Sequence, residues 1–404
     1  MDTTALAIVA GTIFLWGAAS ARLGRADVTG PMVFVSVGLL LIGTGLVRGD
    51  AEPEAVLPLV EIALVWVLFS DAARVPLRYL RTDAGRCLRL LGVGLPLTVL
   101  AGWALAAWLL PGAGGWLALL VGASLAPTDA ALGASVVTDP AVPARVRRLI
   151  TVESGLNDGI VTPVVFVALA GAASVEGLAQ APGPAEALVE LAVGAGVGAA
   201  VGGIGGVLLR EAQSRGWAAG ELSGIAVLGL AGAAYAAALV AHGNGFVGAF
   251  CGGLAFGATA GRRGPVELGF TEQAGALVGL LVWLVFGAVA VPVLLDRADW
   301  TTLLYAVLSL TAVRMVPVAL ATVGTTMDAR TVLFVGWFGP RGLASLVFAL
   351  LALEGLGSAA EEAVAVITGT VLLSVVVHGI SAAPLAARYG HSAATQAEGV
   401  THRG

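Results

Sequence analysis

Four polar residues that could bind a small cation lie in or beside apolar stretches long enough to cross a membrane. Asp129 lies in one such stretch, and Glu153, Asn157 and Asp158 lie in the next. An ionised carboxylate at the centre of a bilayer costs at least about 2.5 kcal/mol, so we expect these residues to be functional or paired. The residue types therefore predict an ion-binding centre.

The second of these stretches places its polar groups on one side of a helix. Residues four apart are neighbours on a helix, so Glu153 lies above Asn157 and Ser154 lies above Asp158. Small hard cations take several oxygen ligands, which Asp158, the Ser154 hydroxyl and main-chain oxygens near Thr128 could supply. A carboxyl group removed from water can hold either a proton or a cation, and this competition is sufficient for exchange. Hydrogen bonding between helices is the alternative role for Ser154 and Asn157.

Two predicted helices are interrupted at matching positions. The sequence Ala-Pro-Thr-Asp at 126–129 and the sequence Gly-Pro-Arg-Gly at 339–342 each fall near the middle of an apolar stretch. Proline removes a backbone hydrogen bond, and neighbouring polar groups can satisfy the freed backbone. Paired interrupted helices in two repeats indicate a transport site at the bilayer midplane. The alternative for either interruption alone is a kink without function, since Pro and Gly are common in membrane helices.

The composition is typical of a polytopic membrane protein. Of 404 residues, 58% are hydrophobic and 12% are charged, about half the charge of an average soluble chain. No basic surface for nucleic acid is indicated, and the two cysteines suggest neither a disulfide framework nor a metal site. The first apolar stretch lacks a basic start and a cleavage site, so we expect a retained helix rather than a signal peptide.

Apolar windows of about 20 residues can be placed thirteen times, which predicts an all-α protein with about 13 transmembrane helices. Spans one to six and eight to thirteen would form two inverted six-helix repeats. The predicted spans are 4–21, 31–47, 55–73, 88–110, 115–138, 149–173, 184–209, 217–241, 243–260, 270–295, 301–323, 330–353 and 361–385.

The distribution of charge predicts the orientation. Excess Arg marks the cytoplasmic side of a membrane protein, which places the N-terminus outside and the C-terminus in the cytoplasm. The short tail after Arg388 predicts no cytosolic regulatory domain. The arginines on the cytoplasmic side are 22, 25, 74, 78, 81, 86, 89, 145, 147, 148, 210, 215, 262, 263, 330 and 388, whereas the other side has mainly acidic residues with only Arg48 and Arg297.

Some buried polar residues are expected to have structural roles. Glu153 needs a partner if it is ionised, and the candidates are Arg314 and Arg341 in later spans. We favour a salt-bridged structural role for Glu153 and Arg314. His242 and His378 could relay protons, but both lie near span ends, where an interfacial role is favoured.

Several of these motifs together resemble those of the monovalent cation:proton antiporters of the CPA1 type, the NhaP-like sodium/proton exchangers. The similarity extends over most of the chain. The Asn-Asp pair is specific in this context, whereas the Gly-Pro-Arg-Gly sequence alone would be a weak signal. The motifs are Thr128-Asp129, Glu153-Ser154-Gly155-Leu156-Asn157-Asp158-Gly159, His242-Gly243-Asn244-Gly245-Phe246, Arg314, Gly339-Pro340-Arg341-Gly342-Leu343-Ala344-Ser345 and His378-Gly379-Ile380-Ser381.

The resemblance implies a homodimer in the plasma membrane, without a cofactor and without enzymatic activity, in which interrupted helices five and twelve cross. Core helices would occupy about 88–173 and 301–388, and dimerisation helices about 4–73 and 184–295. The site residues it implies are Asp158 as ion and proton carrier with Asn157 beside it, the Thr128 main chain, Asp129 and Ser154 as further site groups, Glu153 with Arg314 as an ion pair, and Arg341 in a structural or electrostatic role.

The resemblance also implies a stoichiometry and leaves alternatives open. Relatives with Asn before the essential Asp are typically electroneutral, exchanging one cation for one proton, and Asn157 fits this pattern. Many relatives have an acidic residue directly after Leu-Phe in span three, where this chain has Ser70 and then Asp71, so a site role for that helix is in doubt.

Na+ and K+ are not distinguished, because both take oxygen ligands. A cation channel or efflux system on a related scaffold is one alternative, and an intramembrane enzyme using Asp129 and Asp158 is another.

Overall fold

A computed structural model describes residues 3–26, 28–46, 53–75, 85–177, 183–261 and 264–401. Within these ranges the regular structure is helical and contains no strand. Thirteen helical units follow one another, three of them in two pieces. They are α1 (Thr3–Gly24), α2 (Gly30–Gly43), α3 (Pro53–Arg74), α4 (Gly85–Leu109), α5a (Gly114–Ser124), α5b (Ala134–Val137), α6 (Ala144–Val175), α7 (Pro184–Ser214), α8 (Gly220–Val240), α9 (Gly245–Thr259), α10 (Gly264–Arg297), α11a (Trp300–Leu310), α11b (Ala312–Thr322), α12a (Ala329–Trp337), α12b (Leu343–Leu356) and α13 (Glu361–Thr401).

The thirteen predicted spans are confirmed, since each one overlaps one helical unit. In the described part of the chain, nine stretches are long and apolar enough to cross a membrane, and one of them, Leu343–His391, joins α12b and α13. Helices α2, α5a and α9 are shorter. The ninth unit begins later than the predicted residue 243, because the Asn244 side chain caps it by accepting a hydrogen bond from the Val247 N–H at 3.0 Å.

Three spans are less regular than predicted. The eleventh is divided at Thr311, whose hydroxyl donates to the Val307 carbonyl, a contact that bends helices. The fourth contains a π-helical turn at Leu90–Gly94 just before Pro96, which has no N–H to donate. The fifth span is non-helical over residues 125–133, longer than the four-residue interruption expected, and only the short α5b follows it.

The helices pack in two groups. In the first, α2 and α3 pack on α10, and α9 packs against α3, α7 and α8. In the second, α4 and α6 pack on α5a, α11a packs on α13, and α11b packs on α12a. Helices α3 and α10 also contact α12b, and α3 contacts α6, so these helices form the boundary between the two groups.

Glycines bring α7 and α9 of the first group into close contact. Gly194, Gly198 and Gly202 occur at every fourth position, so they lie on one side of α7. A Cβ atom on Gly198 or Gly202 would overlap the main chain of Gly248 or Gly252 on α9. Small residues at such spacing allow helix backbones to approach closely. The backbones of α7 and α9 are therefore in direct contact along this face.

The two interruptions cross within the second group, as predicted. The first interruption, residues 125–133, separates α5a from α5b, and the second interruption, residues 338–342, separates α12a from α12b. The Asp129 N–H donates to the Pro340 carbonyl at 2.8 Å. The Ser345 hydroxyl donates to the Ser124 carbonyl at 2.6 Å. Main chain from each interrupted helix thus satisfies groups of the other.

Charged residues separate to two ends of the bundle. One end, which we term the arginine-rich face, carries Arg74, Arg86, Arg145, Arg147 and Arg148. There the Arg86 guanidinium donates to the Thr326 hydroxyl at 2.5 Å, which joins the start of α4 to the loop before α12a. At the other end, Arg297 pairs with Glu361 at 2.5 Å. The predicted side assignments of Arg48, Glu52, Arg78, Arg81, Arg262 and Arg263 lie outside the described residues.

Candidate functional site

A cavity of about 1030 Å³ extends from the arginine-rich face to the middle of α6. Helices α2, α3 and α10 form one wall, and the first interruption with α6 forms the other. The side chains of Asp71, Asp129 and Asp158 line it together with Thr128 and Ser154. Carboxyl and hydroxyl groups from both helix groups therefore border one space that is large enough for water and a cation.

Asp158 lies deep in the cavity and is 8% exposed. Its main-chain carbonyl accepts a hydrogen bond from the Thr162 hydroxyl at 2.8 Å. Within the described ranges, no hydrogen-bond donor and no cation contacts its carboxylate. Burial of an ionised carboxylate without such a partner is costly, so the ionised form of Asp158 is disfavoured unless a cation compensates it.

Thr128, Ser154 and Asn157 form a hydrogen-bonded group beside Asp158. The Thr128 and Ser154 hydroxyl oxygens are 3.0 Å apart, and the Asn157 Nδ2 donates to the Thr128 hydroxyl at 2.8 Å. These contacts fix the first interruption against α6. The structural alternative for Ser154 and Asn157 is thus present in the molecule, and Ser154 also borders the cavity.

Glu153 is paired with Arg314, one of the two arginines that the sequence offered. The Arg314 Nη1 lies 2.7 Å from the Glu153 Oε1, and each side chain is 2% exposed. Removing either partner would leave the other charge buried without compensation, which is strongly destabilising. The pair joins α6 to α11b inside the second group of helices.

Arg341 is fully buried at the crossing of the two interruptions. Its Nη1 donates to the carbonyls of Pro127 and Gly339 at 3.3 and 3.1 Å. The negative end of a helix dipole lies at its C-terminus, where cations are favourable. The positive charge of Arg341 therefore stabilises the partial negative charge at the C-terminal end of α5a. Its role in this structure is electrostatic and structural.

At the same crossing, the negative charge of Asp129 lies at the N-terminal end of a helix. Its Oδ1 accepts from the Ala131 N–H at 2.7 Å, and its Oδ2 accepts from the Leu343 N–H at 3.2 Å. Leu343 is the first residue of α12b, where an anion is favourable. A Cβ atom on Gly342 would overlap this carboxylate, so the close approach requires glycine. Asp129 both borders the cavity and caps a helix.

Asp71 borders the cavity, although the sequence left a site role for its helix in doubt. A Cβ atom on Gly155 would lie 3.5 Å from the Asp71 carbonyl, so α3 packs onto α6 one turn before Asp158. Ser70, which stands where relatives were expected to have an acidic residue, donates to the Trp66 carbonyl within its own helix. The signal in the sequence was an acidic residue inside an apolar stretch.

The expectation for His378 was wrong, whereas His242 fits its expectation. His378 is 2% exposed and contacts Trp337 and Ser374. It was assigned to an interface because it lies late in the predicted span, but α13 continues to Thr401 and encloses it in the bundle. His242 is exposed, with φ of 58°, in the turn between α8 and α9.

Beyond Asp158, toward the end opposite the arginine-rich face, α6 packs directly on α9. A side chain at Gly159 would overlap the Phe250 ring. The rings of Phe166 and Phe246 are stacked with centroids 5.5 Å apart, and Tyr235 meets Phe246 edge-on at 5.3 Å. Asp158 is therefore reached from the arginine-rich face, while aromatic packing lies on its other side.

Acidic side chains in the cavity do not converge on one point. In the described part of the chain, no three His, Cys, Asp or Glu side chains lie close enough together to hold a metal ion. A cation at Asp158 would therefore combine one carboxylate with hydroxyl and main-chain oxygens, a ligand set suited to a weakly held hard cation.

The fold defines a polytopic membrane protein of the transporter class, in which two interrupted helices cross beside a cavity lined by carboxyl groups. The family model described as "Sodium/hydrogen exchanger, transmembrane" matches residues 8–388. The chain belongs to this family.

Two solved structures with a similar fold come from one relative, the sodium proton antiporter MjNhaP1 of Methanocaldococcus jannaschii. The structure at pH 8 has a TM-score of 0.74 and 19% sequence identity, and the alignment covers 96% of this chain and 99% of that one. The structure from electron microscopy has a TM-score of 0.71 and 20% identity, with 96% and 98% covered. Among curated protein sequences, no significant match was found.

Proposed function

We propose that this protein is a secondary-active antiporter that exchanges Na+ or K+ for protons. The cation and the proton compete for Asp158. The observation that carries this proposal is a carboxylate without a protein partner at the inner end of a cavity that opens to one face. Membership of the sodium/hydrogen exchanger family and the similarity in fold to a sodium proton antiporter support it.

The cation would be bound by Asp158, the Ser154 hydroxyl and the Thr128 main chain. These groups border the same cavity. Asp129 would add negative charge without leaving its position at the start of α12b, since two backbone N–H groups hold its carboxylate. Asp71 would add further negative charge from the opposite wall.

The exchange would be electroneutral, one cation for one proton, and the charges on α6 support this proposal. Asn157 is neutral, and Glu153 is neutralised by Arg314. Asp158 is therefore the single exchangeable charge on this helix. Binding of either one proton or one monovalent cation leaves the site with the same net charge, so the transport cycle moves no net charge.

Alternating access would be provided by the two groups of helices. Core helices at about 88–173 and 301–388 would move against dimerisation helices at about 4–73 and 184–295. The cavity lies between these groups, and the α6–α9 contact beyond Asp158 is the part of the boundary that would open. Movement of one bundle against another around a fixed site is the usual mechanism of transporters built from repeats.

We further propose the orientation and assembly. The arginine-rich face would be cytoplasmic by the rule that Arg and Lys are enriched there, so the cavity would face the cytoplasm. The N-terminus would be outside and the C-terminus inside the plasma membrane. Two copies would form a homodimer through the dimerisation helices.

The test is cation-dependent proton flux in proteoliposomes, followed with a pH-sensitive dye trapped inside. Addition of Na+, K+ or Li+ should drive proton movement, and clamping the membrane potential with valinomycin and K+ should leave the rate unchanged if exchange is electroneutral. Asp158→Asn should abolish flux while the protein still folds. A current that is not coupled to the pH gradient would instead support the channel alternative, and unchanged exchange in Asp158→Asn would remove that residue from the mechanism.

A further inference from the structure

We propose that Ser374 and His378 of α13 are positioning residues that hold the second interruption, and through it the cation-binding main chain of the first. This proposal rests on the proposed function, because the site it positions is the cation site at Asp158. Neither residue borders the cavity. Both are buried, with exposures of 0% and 2%.

The two side chains satisfy backbone groups at both ends of the second interruption. The Arg341 N–H, freed where the helix is broken, donates to the Ser374 hydroxyl at 2.8 Å. The His378 Nε2 lies 2.9 Å from the carbonyl of Trp337, the last residue of α12a. Unsatisfied backbone groups inside a membrane cost several kcal/mol each. One face of α13 thus provides hydrogen-bond partners for backbone groups that the break between α12a and α12b leaves without a helical partner.

The protonation of the ring can be assigned at one nitrogen. Nε2 faces a carbonyl oxygen, which only accepts, so this nitrogen carries a proton and donates. Nδ1 lies 3.1 Å from the Ser374 hydroxyl and 2.9 Å from the Ser374 carbonyl. It can accept from the hydroxyl when the ring is neutral, or donate to the carbonyl when the ring is charged. The contact with Trp337 is retained in both forms.

A third contact orients the same segment. The Trp337 indole Nε1 donates to the Ser381 hydroxyl at 3.1 Å, and the Trp337 and His378 rings are 5.4 Å apart. Ser374, His378 and Ser381 are spaced four and three residues apart, so they lie on one face of α13. This polar face fixes both the main chain and the side chain of Trp337.

A connected series of contacts leads from this face to the cation site. Ser374 holds the main chain of Arg341, whose guanidinium donates to the Pro127 carbonyl at 3.3 Å. Pro127 directly precedes Thr128, the residue proposed to bind the cation through its main chain. The Asp129 N–H is held by the Pro340 carbonyl at 2.8 Å. A shift of the second interruption would therefore move the cation ligands, and small displacements of ligands weaken binding strongly.

The experiment compares His378→Ala, His378→Gln and Ser374→Ala with a matched control, Thr370→Val. Thr370 lies one turn before Ser374 and is buried, but its hydroxyl donates only to the Val366 carbonyl of its own helix. The apparent KM for Na+, the maximal rate and the pH profile are measured in proteoliposomes. The increase in Tm caused by Na+ is measured on the purified protein in detergent.

We expect His378→Ala and Ser374→Ala to raise the apparent KM for Na+ about fivefold or more, the change that corresponds to a lost buried hydrogen bond. The Na+-dependent increase in Tm should shrink in parallel. His378→Gln should restore most of the affinity, because its amide can still donate to the Trp337 carbonyl, and its pH profile should match that of the wild type. Thr370→Val should behave like the wild type.

Unchanged KM values in both alanine variants would overturn the proposal. Equal loss in His378→Gln and His378→Ala, or a shifted pH profile in His378→Gln, would also overturn it, because His378 would then act by its own protonation. If His378→Ala does not fold, Ser374→Ala and His378→Gln decide the question. Absence of exchange in the wild type would refute the proposed function instead, whereas wild-type exchange with unaffected variants would refute only the positioning role.

Discussion

The two interrupted helices cross at the same point, but their interruptions have different surroundings. The first interruption spans residues 125–133 and borders the cavity through Thr128 and Asp129. The second spans residues 338–342, and every residue in it is buried. One interruption thus presents oxygen atoms to the cavity, while the other is enclosed by helices. Matching breaks in the sequence do not imply matching roles.

The charges at the two interruptions have opposite signs, and each compensates the helix end of the other. Asp129 of the first lies at the N-terminus of α12b, and Arg341 of the second lies at the carbonyl end of α5a. Arg314 lies against the second interruption as well, since a Cβ on Gly339 would contact its Nε. The second interruption therefore carries positive charge and is enclosed by helices, whereas the first carries negative charge and borders the cavity.

The largest effect on folding is expected when Arg314, beside the second interruption, is removed. Arg314→Ala leaves the Glu153 carboxylate buried and uncompensated, which should lower the free energy of unfolding by about 3–5 kcal/mol. Thermal unfolding of the purified protein in detergent measures this loss.

The double variant Arg314→Ala with Glu153→Ala is the matched control for this prediction. It removes both charges, so it should recover a large part of the lost stability. A single variant Arg314→Ala with wild-type stability would show that Glu153 is protonated or has another partner.

A smaller effect on folding and a larger effect on binding are expected at the first interruption. Asp129→Asn keeps an acceptor for the Ala131 N–H but loses the charge at the start of α12b, which should cost about 1 kcal/mol of stability. Loss of negative charge beside the site should weaken Na+ binding about tenfold, the change produced by about 1.4 kcal/mol. Both quantities can be read from thermal unfolding at increasing Na+ concentration.

Asp139→Asn is the matched control for Asp129→Asn. The Asp139 Oδ1 also accepts from the N–H two residues later, at 2.8 Å from Ala141, but Asp139 does not border the cavity. This variant should bind Na+ like the wild type. If both variants weaken binding equally, the first interruption has no special role as the cation-facing one.

Features encoded by local sequence were predicted well. Apolar length predicted the number of spans, and proline followed by a polar or charged residue located both interruptions, because each signal depends on neighbouring residues only. The positions of Asp71 and His378 were not predicted. Asp71 borders the cavity because α3 packs against another helix, α6, near Gly155, and His378 is buried because a distant α12a packs against it. Such contacts between distant segments are not visible in the pattern of one helix.

The most direct test of the central claim is proton release on Na+ binding, measured with the purified protein in weakly buffered detergent solution. If the proton and the cation share Asp158, adding Na+ at a pH where the carboxyl group is protonated should release about one proton per chain. Choline chloride should release none, and Asp158→Asn should release none with Na+. Na+ binding without proton release in the wild type, or equal release in Asp158→Asn, would contradict the account.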